Sequence, residues 1–94
     1  MVGHRREVRA RVYGNVQGVG YRIWARGEAT SLGLAGWVRN EADGSVTTQI
    51  AGLDEAVSAM IERLWKGPSE ASVSRVDVEE LAAGNAFVGF RIVA

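Results

Sequence analysis

The chain has 94 residues, of which 47% are hydrophobic, and its 11 basic side chains balance 11 acidic ones. This length suits one domain around one core, and the absence of cysteine excludes disulfides, thiolate nucleophiles and thiolate metal sites. The neutral balance excludes a general electrostatic attraction to nucleic acid or membranes, so an anionic ligand needs local geometry. No signal peptide or membrane-spanning run is recognisable. We therefore expect one cytoplasmic, monomeric domain over residues 1–94, with a mobile arm over residues 1–6.

The first predicted element is a half-buried strand. Residues 7–13 alternate between apolar side chains and charged or aromatic ones, which is the period of a strand with one face in a core. The predicted core face carries Val8, Ala10 and Val12.

The strand runs into the most informative segment of the chain, residues 14–22 (GNVQGVGYR). Glycines let consecutive backbone N–H groups converge, and a helix N-terminus adds unpaired N–H groups and the positive end of its dipole. Because a guanidinium matches a phosphate bidentately, Arg22 in the first helical turn completes an arrangement suited to an anion. The same glycines also suit a ligand-free turn between a strand and a helix, so the segment alone leaves both interpretations open.

A helix and a hairpin follow. Apolar residues spaced across residues 21–32 predict a helix, and Gly33 is a natural end for it. Residues 34–39 and 45–50 are predicted as strands because they flank Asp43-Gly44, a dipeptide typical of a tight hairpin turn.

A second helix and two extended segments complete the pattern. Asp54 suits the capping position of a helix that Gly67-Pro68 ends. The apolar stripe of this helix consists of Ala56, Val57, Met60, Ile61, Leu64 and Trp65. Residues 72–81 and 86–93 are predicted as extended. The order βαββαβ plus a terminal extension predicts an α+β fold, a ferredoxin-like sandwich with two helices on one face of an antiparallel sheet.

Three blocks of the sequence resemble the signature blocks of small, free-standing acylphosphatases. They are residues 14–22 (GNVQGVGYR), 32–40 (LGLAGWVRN) and 43–46 (DGSV). The resemblance extends through residues 67–71 and 90–92, so it covers essentially the whole chain in order. It implies hydrolysis of the carboxyl–phosphate anhydride of an acyl phosphate by direct in-line attack of water, without a metal, a cofactor or a phosphoenzyme.

The resemblance also implies roles for particular residues. Arg22 matches the family's phosphate-binding arginine, and Asn40 matches the asparagine that orients the attacking water. The substrate-binding loop would consist of Asn15, Val16, Gln17, Gly18, Val19, Gly20 and Tyr21, largely through backbone N–H groups. The partner is then a small acyl phosphate, with inorganic phosphate as product and competitive inhibitor. These roles suit the chemistry, because a good leaving group needs positioning and charge stabilisation more than a strong acid.

Taken one at a time, these residues have plainer interpretations. Asn40 would ordinarily be a turn residue before a hairpin, and Arg22 a solvated cation on a helix surface. Gln17 suits a structural role in the loop as well as it suits a substrate contact. The joint presence of Arg22 and Asn40 in two matched blocks favours the phosphate site.

Four other side chains are assigned structural roles. Trp37 and Trp65 are expected in the core rather than stacked on substrate. Glu41 and Asp43 are interpreted as turn and surface residues, because added negative charge next to a phosphate is unfavourable.

Other chemistries find little support in the sequence. His4 is the only histidine, which argues against histidine catalysis, and the loop lacks the Lys-Ser/Thr ending of a nucleotide-binding Walker A motif. The alternative is a non-catalytic module that binds an anion or RNA, since RNA-recognition domains share the order βαββαβ. Residues 84–90 echo their signature, but Ala83 and Asn85 replace its basic and aromatic residues, and the segment lies after the second helix.

Overall fold

The computed structural model describes residues 4–94. Within this range the elements are β1 (Arg5–Asn15), α1 (Tyr21–Ser31), β2 (Ala35–Asn40), β3 (Val46–Leu53), α2 (Asp54–Lys66), β4 (Ser72–Leu81) and β5 (Phe90–Ile92). The predicted order is confirmed, and the terminal extension forms a short fifth strand. None of the described helices is both long and apolar enough to cross a membrane.

The strands form one sheet in the order β4-β1-β3-β2-β5, with both helices packed against it. All neighbouring strands are antiparallel except β5, which lies parallel to β2 at the sheet edge. The ferredoxin-like sandwich predicted from the sequence is therefore confirmed, with a mixed rather than purely antiparallel sheet. Phe90 explains the added strand, because its buried side chain joins the core while its backbone pairs with Gly36.

The hydrophobic core lies between the helices and one face of the sheet. The predicted core face of β1 is confirmed, since Val8, Ala10 and Val12 are fully buried. In α1 the buried positions are Tyr21, Ala25 and Ala29, and in α2 they are Val57, Met60 and Leu64. These spacings are those of one helix face, so each helix contributes a single apolar stripe to the core.

The opposite face of the sheet is covered by polar side chains and by the connection between β4 and β5. Glu7 is only 1% exposed there, and its carboxylate accepts hydrogen bonds from Gln49 Nε2 (2.6 Å) and Asn85 Nδ2 (2.7 Å). Burial would raise the pKa of Glu7, but the hydrogen bonds from Asn85 and Gln49 outweigh it and hold the pKa below its usual value. The segment that echoed an RNA-binding signature thus lies in this connection and in β5, rather than on the third strand of the sheet.

The sequence analysis was wrong about the length of the mobile arm and about the cap of α2. Arg5 and Arg6 belong to β1, where they pair with β3, and residues 1–3 lie outside the described residues. Arg6 contacts both Glu80 and Asp54. Asp54 begins α2 but caps no helical N–H group with its side chain. Its Oδ1 instead lies 3.3 Å from Nη1 of Arg6.

The expected burial of two tryptophans is also wrong. Trp65 is 48% exposed, because the turn of α2 that carries it leaves its side chain outside the core stripe. Trp37 alternates with buried Val38 along β2 and is therefore on the sheet face away from the helices. The guanidinium of Arg39 covers its ring, 4.8 Å from the centroid.

Candidate active site

The sheet brings the glycine-rich loop and Asn40 to the same end of its strands, where β1 and β2 both finish. Because β3 lies antiparallel between β1 and β2, these two strands run in the same direction and end together. Val46 of β3 pairs with Val12 on one side and with Asn40 on the other. The C-terminal part of β1, which leads into the loop, and Asn40 therefore lie on either side of a single strand.

Between the loop and Asn40 lies a cavity of about 100 Å³, called here the loop cavity. Its lining residues are Val16, Gln17, Gly18, Gly20, Tyr21, Arg22, Ile23 and Asn40. The structure thus brings both predicted catalytic residues together with five of the seven predicted binding residues. Asn15 and Val19 do not line the loop cavity: Asn15 pairs with Ser72 of β4, and Val19 packs against the core.

Two glycines shape the loop. Gly18 and Gly20 have φ angles of 75° and 77°, which side-chain-bearing residues rarely adopt. Gly20 directly precedes α1, and its carbonyl accepts the first helical hydrogen bond, from the N–H of Trp24 (3.0 Å). The N–H groups of the first helical turn have no partner within the helix, so the positive end of α1 faces the loop cavity.

Arg22 differs from most arginines of this protein in its surroundings. Six arginines lie within 4.0 Å of a carboxylate: Arg6, Arg9, Arg11, Arg39, Arg63 and Arg75. Among residues 4–94 no carboxylate lies within that distance of Arg22, which is half-buried beside the loop cavity. Its charge is therefore not neutralised locally by an acid, and it remains free to pair with an anion.

Asn40 carries the one buried side-chain polar atom of the described residues that lacks a hydrogen-bond partner. This atom is Oδ1, and the residue lines the loop cavity. Buried acceptors are nearly always satisfied in folded proteins, because an unpaired one costs on the order of 1–3 kcal/mol. A side chain kept in this condition next to a cation and a positive helix end points to a ligand-related role.

Gln17 joins the loop to the hairpin between β2 and β3. Its Nε2 donates hydrogen bonds to the carbonyl oxygens of Glu41 (2.8 Å) and Ser45 (2.9 Å). Since Glu41 directly follows Asn40, this amide holds the loop against the strand end that carries Asn40. The contact is the structural role that the sequence analysis weighed for Gln17, although the side chain also lines the loop cavity.

The acidic residues of the hairpin are occupied by other contacts. Hydrogen bonds from Thr47 and then Arg39 lower the pKa of Glu41. The hydroxyl and N–H of Ser45, aided by Arg11, lower the pKa of Asp43 to about 2. Both carboxylates are therefore ionised at neutral pH, which is unsuited to a general acid and agrees with their interpretation as turn residues.

Tyr21 serves the core with its side chain. The ring is buried, and the hydroxyl donates a hydrogen bond to the carbonyl oxygen of Leu64 (2.8 Å). Burial raises the pKa of this phenol well above its ordinary value. A contact of Tyr21 with substrate is thus restricted to its backbone, and the side chain instead fixes α1 against α2.

Sequence reasoning missed Ile23 as a lining residue of the loop cavity and Ser45 as a partner of Gln17. The signal for Ile23 was available, because an isoleucine directly after Arg22 falls outside the apolar stripe of α1. No sequence signal marks Ser45, since its carbonyl contact depends on how the hairpin packs against the loop.

The fold and the loop cavity together define a ferredoxin-like domain with an arginine-lined cavity at one end of the sheet's strands. The acylphosphatase family model matches residues 8–92. An acylphosphatase of Mesorhizobium japonicum (strain LMG 29417 / CECT 9101 / MAFF 303099) is 67% identical over 94 residues, which cover 100% of this chain and 100% of that relative.

Solved acylphosphatase structures agree with this match. The protein from Coxiella burnetii superposes with a TM-score of 0.90 at 35% identity, over 95% of this chain and 93% of that one. The protein from Bacillus subtilis gives a TM-score of 0.92 at 34% identity, over 95% of this chain and 99% of that one. The chain belongs to the acylphosphatase family. It is a hydrolase of acid anhydrides that acts on acyl phosphates.

Proposed function

We propose that the loop cavity is the active site and that it works by direct in-line attack of water. Arg22 and the N–H groups of the loop bind the phosphoryl group, while Asn40 holds the attacking water. The P–O bond to water forms as the bond to the acyl oxygen breaks, the carboxylate leaves with the electron pair, and both hydrogens of the water end on the phosphate product. The observation that carries the proposal is that Arg22 and Asn40 line the same cavity, and that the buried Oδ1 of Asn40 has no hydrogen-bond partner among the described residues.

This arrangement suits the reaction because an acyl phosphate already has a good leaving group. What remains is to hold the water in line and to stabilise charge on the equatorial oxygens. Fixed N–H groups and a guanidinium do both without reorganising. The neutral amide of Asn40 accepts a hydrogen bond from water without adding negative charge next to the phosphate.

Gln17 has a positioning role in this proposal. Its two hydrogen bonds connect the phosphate-binding loop to the strand end that carries the water-holding amide. The distance between the bound phosphoryl group and the water depends on that connection. Since small misplacements of reacting groups cost large factors in rate, we expect Gln17 to affect turnover more than phosphate binding.

The direct test is hydrolysis of benzoyl phosphate, followed by ultraviolet absorbance with and without EDTA. Arg22→Ala should lower kcat/KM by about 10³-fold, because the transition state loses its charged partner. The matched control is Arg26→Ala, which removes an exposed arginine one helical turn away that does not line the loop cavity. Full activity in Arg22→Ala, or loss of activity with EDTA, would contradict the proposal.

Inorganic phosphate should occupy the same site as product. We expect competitive inhibition, together with a rise in melting temperature, since a ligand at 100 times its Kd stabilises the folded state by about 2.7 kcal/mol. Both effects should disappear in Arg22→Ala and persist in Arg26→Ala. Phosphate that inhibits the two variants equally would place the anion elsewhere.

We also propose that the enzyme acts as a cytoplasmic monomer without a cofactor. The absence of cysteine leaves no thiolate to hold a metal, and the balanced charge of the chain is compatible with a monomer. Light scattering coupled to size exclusion checks the mass of the particle, and cell fractionation checks the compartment. The mass of a dimer would contradict the proposed monomer.

A further inference from the structure

Ile23 has an unusual position for a large apolar side chain. It is 64% exposed even though it lines the loop cavity, so it lies at the mouth of that cavity. The core stripe of α1 consists of Tyr21, Ala25 and Ala29, and Ile23 is outside it. Packing of the domain therefore does not account for an isoleucine at this position.

The ionised side chain that lines the loop cavity is positive. Among the described lining residues Arg22 is the only cation, and no carboxylate is present. The two acids of the adjacent hairpin are held by Thr47, Ser45 and neighbouring arginines. Once a phosphoryl group pairs with Arg22, the lining offers no further ionised group to a charged substituent on the substrate.

We propose that Ile23 contacts the acyl group of the substrate and selects acyl phosphates whose acyl group is uncharged and apolar. The inference rests on the proposed function, because it takes the phosphoryl group to be bound by Arg22 and the loop. With a cavity of about 100 Å³ occupied by the phosphoryl group, the acyl group extends through the mouth. There it removes apolar surface of Ile23 from water.

Two physical effects give the selectivity. Burying apolar area of both partners favours an aromatic or branched acyl group over a small one. A carboxylate on the acyl group would lose hydration at the mouth without gaining a cation, which disfavours substrates with an ionised acyl group. Both effects act on the acyl side only, so they leave phosphate recognition unchanged.

The experiment compares three substrates that share the phosphoryl group: acetyl phosphate, benzoyl phosphate and 4-carboxybenzoyl phosphate. Ile23→Ala should lower kcat/KM for benzoyl phosphate about fivefold and leave acetyl phosphate within a factor of two. Ile23→Leu should retain the wild-type preference. The matched control is Val88→Ala, which removes an even more exposed apolar side chain (78%) that lines a different cavity. It should change none of the three rates.

A gain-of-charge variant makes the test sharper. Ile23→Lys should improve 4-carboxybenzoyl phosphate relative to benzoyl phosphate, because it supplies the missing cation. Equal changes for acetyl and benzoyl phosphate in Ile23→Ala, or no change for benzoyl phosphate, would overturn the acyl contact.

Arg22→Ala, measured with acetyl phosphate, separates the two proposals. If that variant remains fully active, the phosphoryl site is wrong and the acyl contact fails with it. If it loses activity while Ile23→Ala has no selective effect, only the acyl contact is wrong. A selective effect of Ile23→Ala together with an inactive Arg22→Ala supports both.

Discussion

The loop cavity and a larger cavity on the sheet face both carry arginines, and the larger one is not the better candidate for the active site. The sheet-face cavity has a volume of about 400 Å³, four times that of the loop cavity. Its lining residues are Arg9, Arg11, Tyr13, Arg39, Glu41, Thr47, Asp77, Val78 and Glu79. All three of its arginines are within 4.0 Å of a carboxylate. Each cation there already has an anion, so the sheet-face cavity has little to offer a phosphate.

The difference shows that pairing, rather than volume or charge, distinguishes the two places. Exposed ion pairs such as those of the sheet face contribute about 0–1 kcal/mol each to stability. Arg11 also donates a hydrogen bond to Ser45 Oγ, which helps to order the hairpin next to Asn40. The arginines of the sheet face therefore contact acids and the hairpin, while Arg22 has no carboxylate partner among the described residues and can bind an anion.

The largest effect expected is that of Asn40→Asp. This substitution keeps the size of the side chain but places a negative charge beside the phosphoryl group, so kcat/KM should fall about 10³-fold or more. Steady-state hydrolysis of benzoyl phosphate measures the effect. A similar loss in Asp77→Asn, which changes the charge of the sheet-face cavity instead, would contradict the assignment of the active site to the loop cavity.

Arg22→Lys should have the next largest effect. Lysine keeps the charge but loses the planar fork, so we expect kcat/KM to fall about 10²-fold. The matched control, Arg26→Lys, makes the same exchange one turn along α1 and should stay near the wild-type rate. A rate close to wild type for Arg22→Lys would show that a point charge is sufficient at this position.

Gln17→Met should have a moderate effect that is concentrated in turnover. The variant keeps the length of the side chain but loses both hydrogen bonds to the hairpin, so kcat should fall about tenfold. Inhibition by phosphate should change much less, since Arg22 and the loop N–H groups remain. Gln49→Met is the control, because it removes a buried glutamine amide from the sheet face and should affect melting temperature rather than kcat.

The smallest effect expected is that of Asp43→Asn on acid stability. Contacts with Ser45 and Arg11 lower the pKa of Asp43 from its ordinary value of 3.8 to about 2. The folded state therefore gains stability from Asp43 above pH 4, and loses it as the pH falls toward 2. Melting temperatures of Asp43→Asn should decline less steeply than wild type across this interval. An unchanged slope would mean that the contacts of Asp43 do not contribute.

Much of the fold was predictable because the relevant patterns are local. The alternation before Gly14 defined β1 and its buried face, and the Asp43-Gly44 turn located the hairpin between β2 and β3. The pairing of β5 with β2 was not predictable, since a three-residue strand carries little periodic signal. The burial of Glu7 was missed for a different reason, because its partner Asn85 lies 78 residues away in sequence.

The candidate site divides in a similar way. Its principal residues were recognisable from sequence because a glycine-rich loop, Arg22 and Asn40 fall in two distinctive blocks. The outward position of Trp65 and the partners of Gln17 were not recognisable. Both depend on which side of an element faces a neighbour, which the three-dimensional packing decides.

The sequence by itself thus determined the order of the elements, the apolar face of β1 and the residue types available for binding a phosphate, because local periodicity and side-chain chemistry encode them. Only the tertiary structure decided which cations are neutralised and which remain available. It brought Arg22 and Asn40 together at one end of the strands, on either side of β3. It also paired the arginines of the sheet face with acids and left Ile23 at the mouth of the loop cavity. The physical reason is that pairing, burial and exposure are relations between residues distant in sequence, and the packing of the sheet and helices sets them.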